Sequence, residues 1–157
     1  NRDVETRMDV HVNAYLPAEY VTGDRQRLEV YKRIASITTA AQRDDVEEEL
    51  VDRFGDEPLC VANLVAVAYL KAMCEKLGID RVNQADGRID MRFALNAQVD
   101  GQKLFTALNG FDKRLTLNAA LPVTLTLKDP TLNREDLLML CVKVMERLLA
   151  RMELSAA

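Results

Sequence analysis

The spacing of apolar residues changes near the middle of this chain, and that change limits the folds it can adopt. From Leu28 to Leu77 they recur every three or four positions, which is typical of the buried face of a helix. From Ile89 to Leu95 they alternate with mostly charged residues, as in a strand with one buried face. Helical and strand patterns in separate parts of the chain predict an α+β fold, with helices packed on a small, mostly antiparallel sheet.

Periodicity and turn residues together predict the order ααα-ββ-α-ββ-α. The predicted elements are helices at 24–37, 39–54 and 58–78, strands at 79–84 and 89–95, a short helix at 101–109, strands at 115–119 and 123–127, and a final helix at 133–152. The third helix is apolar around nearly its whole circumference, so we expect it to be the central buried helix. Lys71 and Glu75 interrupt its apolar run, which excludes a membrane span.

Local sequence signals mark the ends of the first two helices. Thr22 or Asp24 is expected to cap the first helix. Thr39 and Gln42 form a capping-box pattern at the start of the second. Gly55 is expected to end the second helix in the left-handed αL conformation.

Turn and strand residues organise the second half of the chain. Asp86-Gly87 is typical of a type I′ hairpin turn between the first two strands. In the following strands the apolar residues alternate with Thr and Asn, so we expect Leu115, Leu117 and Ala119 to point inward.

The N-terminal segment is expected to differ from the rest of the chain. Residues 1–20 alternate loosely and are interpreted as an extended segment or linker that packs on the domain, with a short strand as the alternative. Residues 21–157 are expected to form a single α+β domain, because an apolar fraction of 48% in a chain of this length is enough for one core. Its charged outward faces predict a monomer.

Composition argues against several classes of function. Lys and Arg total 21 against 25 Asp and Glu, whereas a domain that binds phosphates needs a basic surface. We therefore expect no direct contact with nucleic acid, and none with a membrane. Cys60, Cys74 and Cys141 form no Cys-x-x-Cys pair and lie in apolar runs, so they are expected to be buried thiols in a reducing, cytoplasmic setting.

The familiar catalytic and cofactor-binding motifs are missing from the sequence. It contains no P-loop and no Gly-x-Ser-x-Gly, Gly-x-Gly-x-x-Gly or His-Glu-x-x-His pattern. Its single histidine, His11, lies in the N-terminal segment, where a solvated side chain is expected rather than a metal ligand. We therefore expect this chain not to be an enzyme and to hold no cofactor or metal.

One charged pattern stands out on the second predicted helix. Four carboxylates at spacings i, i+3, i+4 and i+7 form a line beside its apolar stripe. We call these four residues the acidic ridge: Asp45, Glu48, Glu49 and Asp52. Like charges at these spacings cost roughly 0.2–0.5 kcal/mol per pair, and Arg53, four residues after Glu49, offsets part of that cost. Two interpretations are open, a docking surface for a basic partner or a solvated face that maintains solubility.

Three closely spaced segments near the N-terminus carry a family resemblance. They are Ala14-Tyr15-Leu16-Pro17-x-x-Tyr20, Arg27-Leu28-x-x-Tyr31-Lys32-Arg33-Ile34-Ala35 and Glu48-Glu49-Leu50-x-Asp52-Arg53-Phe54-Gly55. Together they resemble the C-terminal (TRCF) domain of the bacterial transcription-repair coupling factor, the Mfd family. Members of that family are ATP-driven DNA translocases that remove stalled RNA polymerase and recruit the excision-repair machinery, and this domain lies outside their motor.

The resemblance implies a regulatory function. In the family this domain docks on a UvrB-like domain near the N-terminus of the same polypeptide, hides the surface that binds UvrA and restrains the motor until RNA polymerase is engaged. The family's contacts come from the third segment, so the resemblance places them on Glu49, Asp52 and Arg53. Glu48 and Asp45 are included as their neighbours on the ridge. Arg53 is expected to make a two-pronged contact that Lys would not reproduce.

The other two segments are expected to be structural. The first anchors the N-terminal residues against the helices through Tyr15, Pro17 and Tyr20, and the second holds the first helix against its neighbours. One departure affects the third segment, because Asp56-Glu57 stands where the family more often has Pro-Leu. The geometry at the end of the ridge is therefore expected to differ from that of the family.

Two other classes of function remain as alternatives. One is an accessory module of the translocase that contacts RNA polymerase or DNA directly, and the acidic balance of the chain argues against it. The other is an independent small enzyme, which the lack of site motifs disfavours. Salt-dependent DNA binding by the isolated chain would distinguish the accessory module from the regulatory one.

Overall fold

The computed structural model describes the backbone of residues 4–156 and the side chains of residues 4–153. Within them lie five helices and a five-stranded sheet, which confirms the predicted α+β class. The elements are, in chain order, β1 (Arg7–Asp9), α1 (Asp24–Ala35), α2 (Ala40–Phe54), α3 (Leu59–Leu77), β2 (Ile79–Ala85), β3 (Arg88–Phe93), α4 (Gly101–Leu108), β4 (Leu115–Asn118), β5 (Thr124–Lys128) and α5 (Arg134–Ala156). This is the predicted order with β1 added at its start.

Internal contacts divide the chain into two compact units, one of residues 12–72 and one that joins residues 4–11 to residues 73–156. The first unit holds α1, α2 and most of α3, with α1 packed on α2. Its core is almost entirely aliphatic. The buried side chains include Val21, Val30, Ile34, Ile37, Val46, Leu50, Val61, Val65 and Leu70.

The start of α1 differs from the prediction. Neither Thr22 nor Asp24 caps it, and Gly23 is the N-cap without a side-chain hydrogen bond. The carboxylate of Asp24 instead binds Arg27 one turn later. Because the Asp24 carboxylate binds the Arg27 side chain, it does not accept from the free N–H groups at the start of the helix.

The ends of α2 follow the predicted chemistry more closely. Thr39 caps the helix, since its hydroxyl accepts from the Gln42 N–H at 3.1 Å. The Gln42 side chain reaches back one residue further than in a capping box and accepts from the Thr38 N–H at 2.8 Å. Gly55 ends the helix with φ 89° and ψ −170°, so its φ is positive as predicted, whereas its ψ lies outside the αL region.

The second unit is built on a mixed sheet with the strand order β1-β2-β3-β5-β4. β1 is parallel to β2, and the other three pairings are antiparallel. One face of the sheet is apolar and packs on α5, which in turn packs on α4. The other face is polar. The loosely alternating N-terminal residues therefore include a strand, β1, which forms one edge of the sheet and pairs in parallel with β2.

Two details of the strands differ from the prediction. Asp86 and Gly87 form the predicted two-residue connection between β2 and β3. Only Gly87 has positive φ, 73°, so the turn is not type I′, which needs positive φ at both residues. Ala119 is exposed rather than inward, because β4 ends at Asn118 before it.

The thiols of the second unit are buried, as predicted. Cys74 and Cys141 are free cysteines in the core, and burial raises the pKa of the Cys141 thiol to about 12. Cys60, in the first unit, is only half-buried. Among the described residues, no helix combines the length and apolar character that crossing a bilayer requires.

Candidate docking surface

The acidic ridge lies on the outer side of α2. Val46 and Leu50 are the buried residues of this helix and hold its inner face in the core. Asp45, Glu48 and Asp52 are exposed. Within residues 4–153 none of these three carboxylates has an ion pair or a hydrogen bond, so all three are available to a partner.

Glu49 differs from its neighbours on the ridge because two arginines hold it. Arg33 on α1 donates Nε to Oε1 of Glu49 at 3.3 Å, and Arg53 donates Nη1 to Oε2 at 2.9 Å. The contact with Arg53 follows from the i, i+4 spacing noted in the sequence. The contact with Arg33 comes from another helix and had no local signal. Repulsion along the ridge is therefore confined to the three unpaired carboxylates.

Arg53 is held on several sides. Its guanidinium lies 4.8 Å from the centre of the Phe54 ring, a cation–π distance. If the Gln26 amide on α1 is turned so that its oxygen faces Arg53, that oxygen accepts from Nη2 at 3.1 Å. In that orientation both terminal nitrogens have partners on this domain. A two-pronged contact with another protein, as the resemblance implies, requires Arg53 to exchange Glu49 for a partner's carboxylate.

The first family segment fastens the C-terminal end of α2. The Tyr20 hydroxyl donates to the Gly55 carbonyl at 2.8 Å and lies 3.3 Å from the Leu50 carbonyl. Its ring packs against Phe54 with centroids 5.7 Å apart. These contacts give Tyr20 the anchoring role predicted for it, and they set the position of the helix end that carries Asp52.

The second family segment holds α1 against the N-terminal residues, as predicted. The Tyr31 hydroxyl accepts from the Leu16 N–H at 2.9 Å. Arg27 donates Nη1 to the Val21 carbonyl at 3.2 Å. Because Arg33 in the same segment binds Glu49, the segment also supports the ridge.

A pair of carboxyl groups lies at the junction of α2 and α3. Burial, with the hydrogen bond and the charge of Glu47, raises the pKa of Glu57 to about 7. One oxygen of Glu57, Oε2, is buried without a hydrogen-bond partner. Burial and the charges of Glu57 and Asp56 also raise the pKa of Tyr20. The departure at Asp56-Glu57 therefore adds a carboxyl whose pKa is raised toward neutrality, which the sequence did not reveal.

The remaining sequence candidate, His11, has an exposed side chain, and its backbone N–H donates to the Gln84 side chain at 2.9 Å. In the part of the chain that the structure describes, no cluster of three or more His, Cys, Asp or Glu side chains is arranged to hold a metal ion.

Comparisons with known proteins show which family this chain resembles. The sequence model of the TRCF domain matches residues 10–104, a range that includes all three family segments and the ridge. The transcription-repair-coupling factor of Staphylococcus aureus strain USA300 is 30% identical over 144 residues, which are 88% of this chain and 12% of that protein. The protein of the same name from Bacillus subtilis strain 168 is 30% identical over 115 residues, 72% of this chain and 10% of its own length.

A solved structure resembles the fold over nearly its full length. The crystal structure of the C-terminal domain of a transcription-repair coupling factor superposes with a TM-score of 0.82 at 26% identity and covers 98% of this chain and 97% of that one. This chain therefore spans about an eighth of the length of the Staphylococcus aureus protein and nearly all of the solved C-terminal domain.

Proposed function

This chain belongs to the TRCF domain family, the C-terminal domain of transcription-repair coupling factors, and we propose that it acts there as a regulatory module. Residues 21–157 serve as one domain that docks on the UvrB-like domain near the N-terminus of the same polypeptide. Docking masks the surface that binds UvrA and restrains the ATP-dependent motor. The domain supplies no catalytic group, and it influences UvrA and RNA polymerase through its parent protein in the bacterial cytoplasm.

This proposal rests on the observation that three carboxylates of the acidic ridge have no ion-pair partner among the described residues of their own domain. Asp45, Glu48 and Asp52 are exposed and unpaired on their own domain, next to the held pair of Glu49 and Arg53. A row of unpaired like charges is complementary to a basic surface and steers association with it. The adjacent Arg53 adds a planar fork that suits a carboxylate on the same partner once that carboxylate replaces Glu49.

A binding titration tests the ridge directly. We expect this chain to bind the separately produced UvrB-like domain, and the double variant Glu48→Gln with Asp52→Asn to bind at least about tenfold more weakly. The matched control is Glu19→Gln with Glu29→Gln, which removes the same charge from exposed positions outside the ridge. Equal weakening by both double variants would show a nonspecific charge effect and would contradict the proposal.

The same ridge variant in a full-length transcription-repair coupling factor tests regulation. Loosening the closed state should raise UvrA binding and basal ATP hydrolysis in the absence of RNA polymerase. If both stay at the wild-type level, the ridge is only a solvated face. Duplex DNA binding by this chain that weakens steeply with salt would instead support the accessory-module alternative.

A further inference from the structure

A second charged surface lies on the polar face of the sheet and uses none of the ridge residues. Arg7 on β1 is the register partner of Arg81 on β2, and Arg81 is the register partner of Arg92 on β3. Three arginines therefore lie side by side across three neighbouring strands. We call them the arginine row. Their side chains are 72%, 37% and 42% exposed, so the row faces solvent.

This arrangement is electrostatically unfavourable for the sheet itself. Neighbouring strands are about 4.8 Å apart, and like charges directly opposite one another destabilise a sheet. Asp9 partly compensates by binding Arg7 at 3.4 Å and Arg81 at 3.1 Å, and Asp80 binds Arg92 at 3.0 Å. Two negatively charged carboxylates thus pair with three positively charged guanidinium groups. The row keeps a positive charge in a chain whose net charge is −4.

The guanidinium groups also keep free hydrogen-bonding capacity. Among the described residues, each is bound to carboxylate through a single nitrogen: Nε in Arg7 and Arg92, and Nη2 in Arg81. A guanidinium has donors on three nitrogens in a fixed plane, and two of its N–H groups can bind one carboxylate side by side. Nε of Arg81 is buried without a partner among these residues, so Nη1 is the nitrogen of Arg81 that remains for a further contact. The terminal nitrogens of Arg7 and Arg92 also remain, and the row can bind further anionic groups without losing its existing ion pairs.

The adjoining residues limit the shape of the partner. The next line across the sheet contains Asp9 and Asp90, the second of which is bound by Arg88 at 2.9 Å. A nucleic-acid backbone gains affinity by neutralising several phosphates, and here it would meet these carboxylates. The positive charge of the row forms a narrow line across the strands, and the other basic pair of this face, Arg88 and Lys128, lies on the far side of these carboxylates. A narrow acidic element fits such a line better than a duplex does.

We propose that the arginine row is the docking site of an acidic helix from a protein partner. Carboxylates on successive turns of a helix are about 5–6 Å apart, close to the strand spacing of about 4.8 Å that separates the arginines. A helix lying across β1, β2 and β3 thus presents one carboxylate to each guanidinium. Polar residues beside the arginine row can form hydrogen bonds at the edge of this contact. One of them is Thr124, which is in register with Arg92.

A peptide titration tests the row. The probe is a helical peptide of about 20 residues with Glu at every i, i+4 position of one face, and its reference is the same peptide with Gln at those positions. We expect this chain to bind the Glu peptide at about 50 mM salt, and the variant Arg81→Gln with Arg92→Gln to bind it at least about tenfold more weakly. The matched control is Arg88→Gln with Lys128→Gln, which removes the same charge from register partners elsewhere on this face and should cost less than about threefold.

Three results would overturn the proposal: no preference for the Glu peptide, equal losses in the two double variants, or tighter binding of a duplex DNA of similar length that depends on the row. The variant Arg81→Lys with Arg92→Lys guards against misfolding, because it keeps the charge and removes the planar fork. A severalfold loss of peptide binding in this variant, with an unchanged circular dichroism spectrum, supports the guanidinium contact. Full retention of binding by the lysine variant contradicts it.

Discussion

Tyr20 donates a hydrogen bond to the backbone carbonyl of Gly55, 35 positions further along the chain, across 2.8 Å. The bond joins the first family segment to the last residue of the third. It fastens the end of α2 on which Asp52 and Arg53 lie. The two segments therefore work as one structural unit, in which the N-terminal residues position the candidate docking surface.

Replacing Tyr20 with Phe should lower stability by about 0.5–1.5 kcal/mol, because the hydroxyl contacts are lost while the ring keeps its packing against Phe54. Thermal unfolding followed by circular dichroism should show a midpoint about 1–6 °C lower. Tyr15→Phe is the control, since that side chain is 51% exposed. Equal midpoints for wild type and Tyr20→Phe would show that the bond contributes nothing.

Glu57 should make stability depend on pH near neutrality. Its pKa is raised from 4.5 to about 7 in the folded state, so the native protein holds more protons than the unfolded chain between these values. The associated stability is fully present below pH 4.5 and is lost as the pH rises through about 7. Glu57→Gln, which stays neutral, should therefore stabilise the protein at pH 8 relative to wild type and have little effect at pH 5.

Thermal midpoints at these two pH values give the measurement for Glu57. Glu29→Gln, at an exposed position, controls for the loss of one negative charge. A Glu57→Gln stabilisation that is the same at pH 5 and pH 8 would mean that Glu57 titrates normally.

Arg114 should control the ionisation of Asp112. Hydrogen bonding to Arg114 holds the pKa of Asp112 at about 2, although partial burial opposes this, and Arg114 also binds Asp129 at 3.1 Å. A lowered carboxyl pKa adds stability that is present above the unfolded value of 3.8 and is lost as the pH falls through about 2. Arg114→Ala should move the Asp112 pKa back toward 3.8, as followed by carbon-13 NMR of the carboxyl group. An Asp112 pKa that stays near 2 would assign the shift to another contact.

Two residues of the ridge should respond in opposite ways to neutralisation. Glu49→Gln weakens ion pairs with Arg33 and Arg53, so we expect a loss of about 0.3–1 kcal/mol. Asp52→Asn removes an unpaired charge near the C-terminal end of a helix, so stability should stay the same or rise by a few tenths of a kcal/mol. Urea unfolding at low salt measures both. A larger loss for Asp52→Asn than for Glu49→Gln would contradict the observed pairing.

Much of the fold follows from signals that act over a few residues. Thr39 and Gln42 mark the start of α2, Gly55 marks its end, and alternation from Ile89 onward marks β3, all within one or two residues of the observed limits. These features are readable because capping bonds and side-chain periodicity depend on neighbouring positions. The position of the acidic ridge follows in the same way from its helical spacing.

The pairing of distant residues did not follow from local patterns. The parallel pairing of β1 with β2, the contact between Arg33 and Glu49, and the alignment of Arg7 beside Arg81 each join separate segments of chain. Strand register and helix packing set these distances, and both depend on how the whole apolar surface is buried. The charge state of Glu57 belongs to the same class, because burial and its neighbour Glu47 exist only in the folded chain. Sequence spacing thus determined which carboxylates share one side of α2, whereas packing determined which of them remain unpaired.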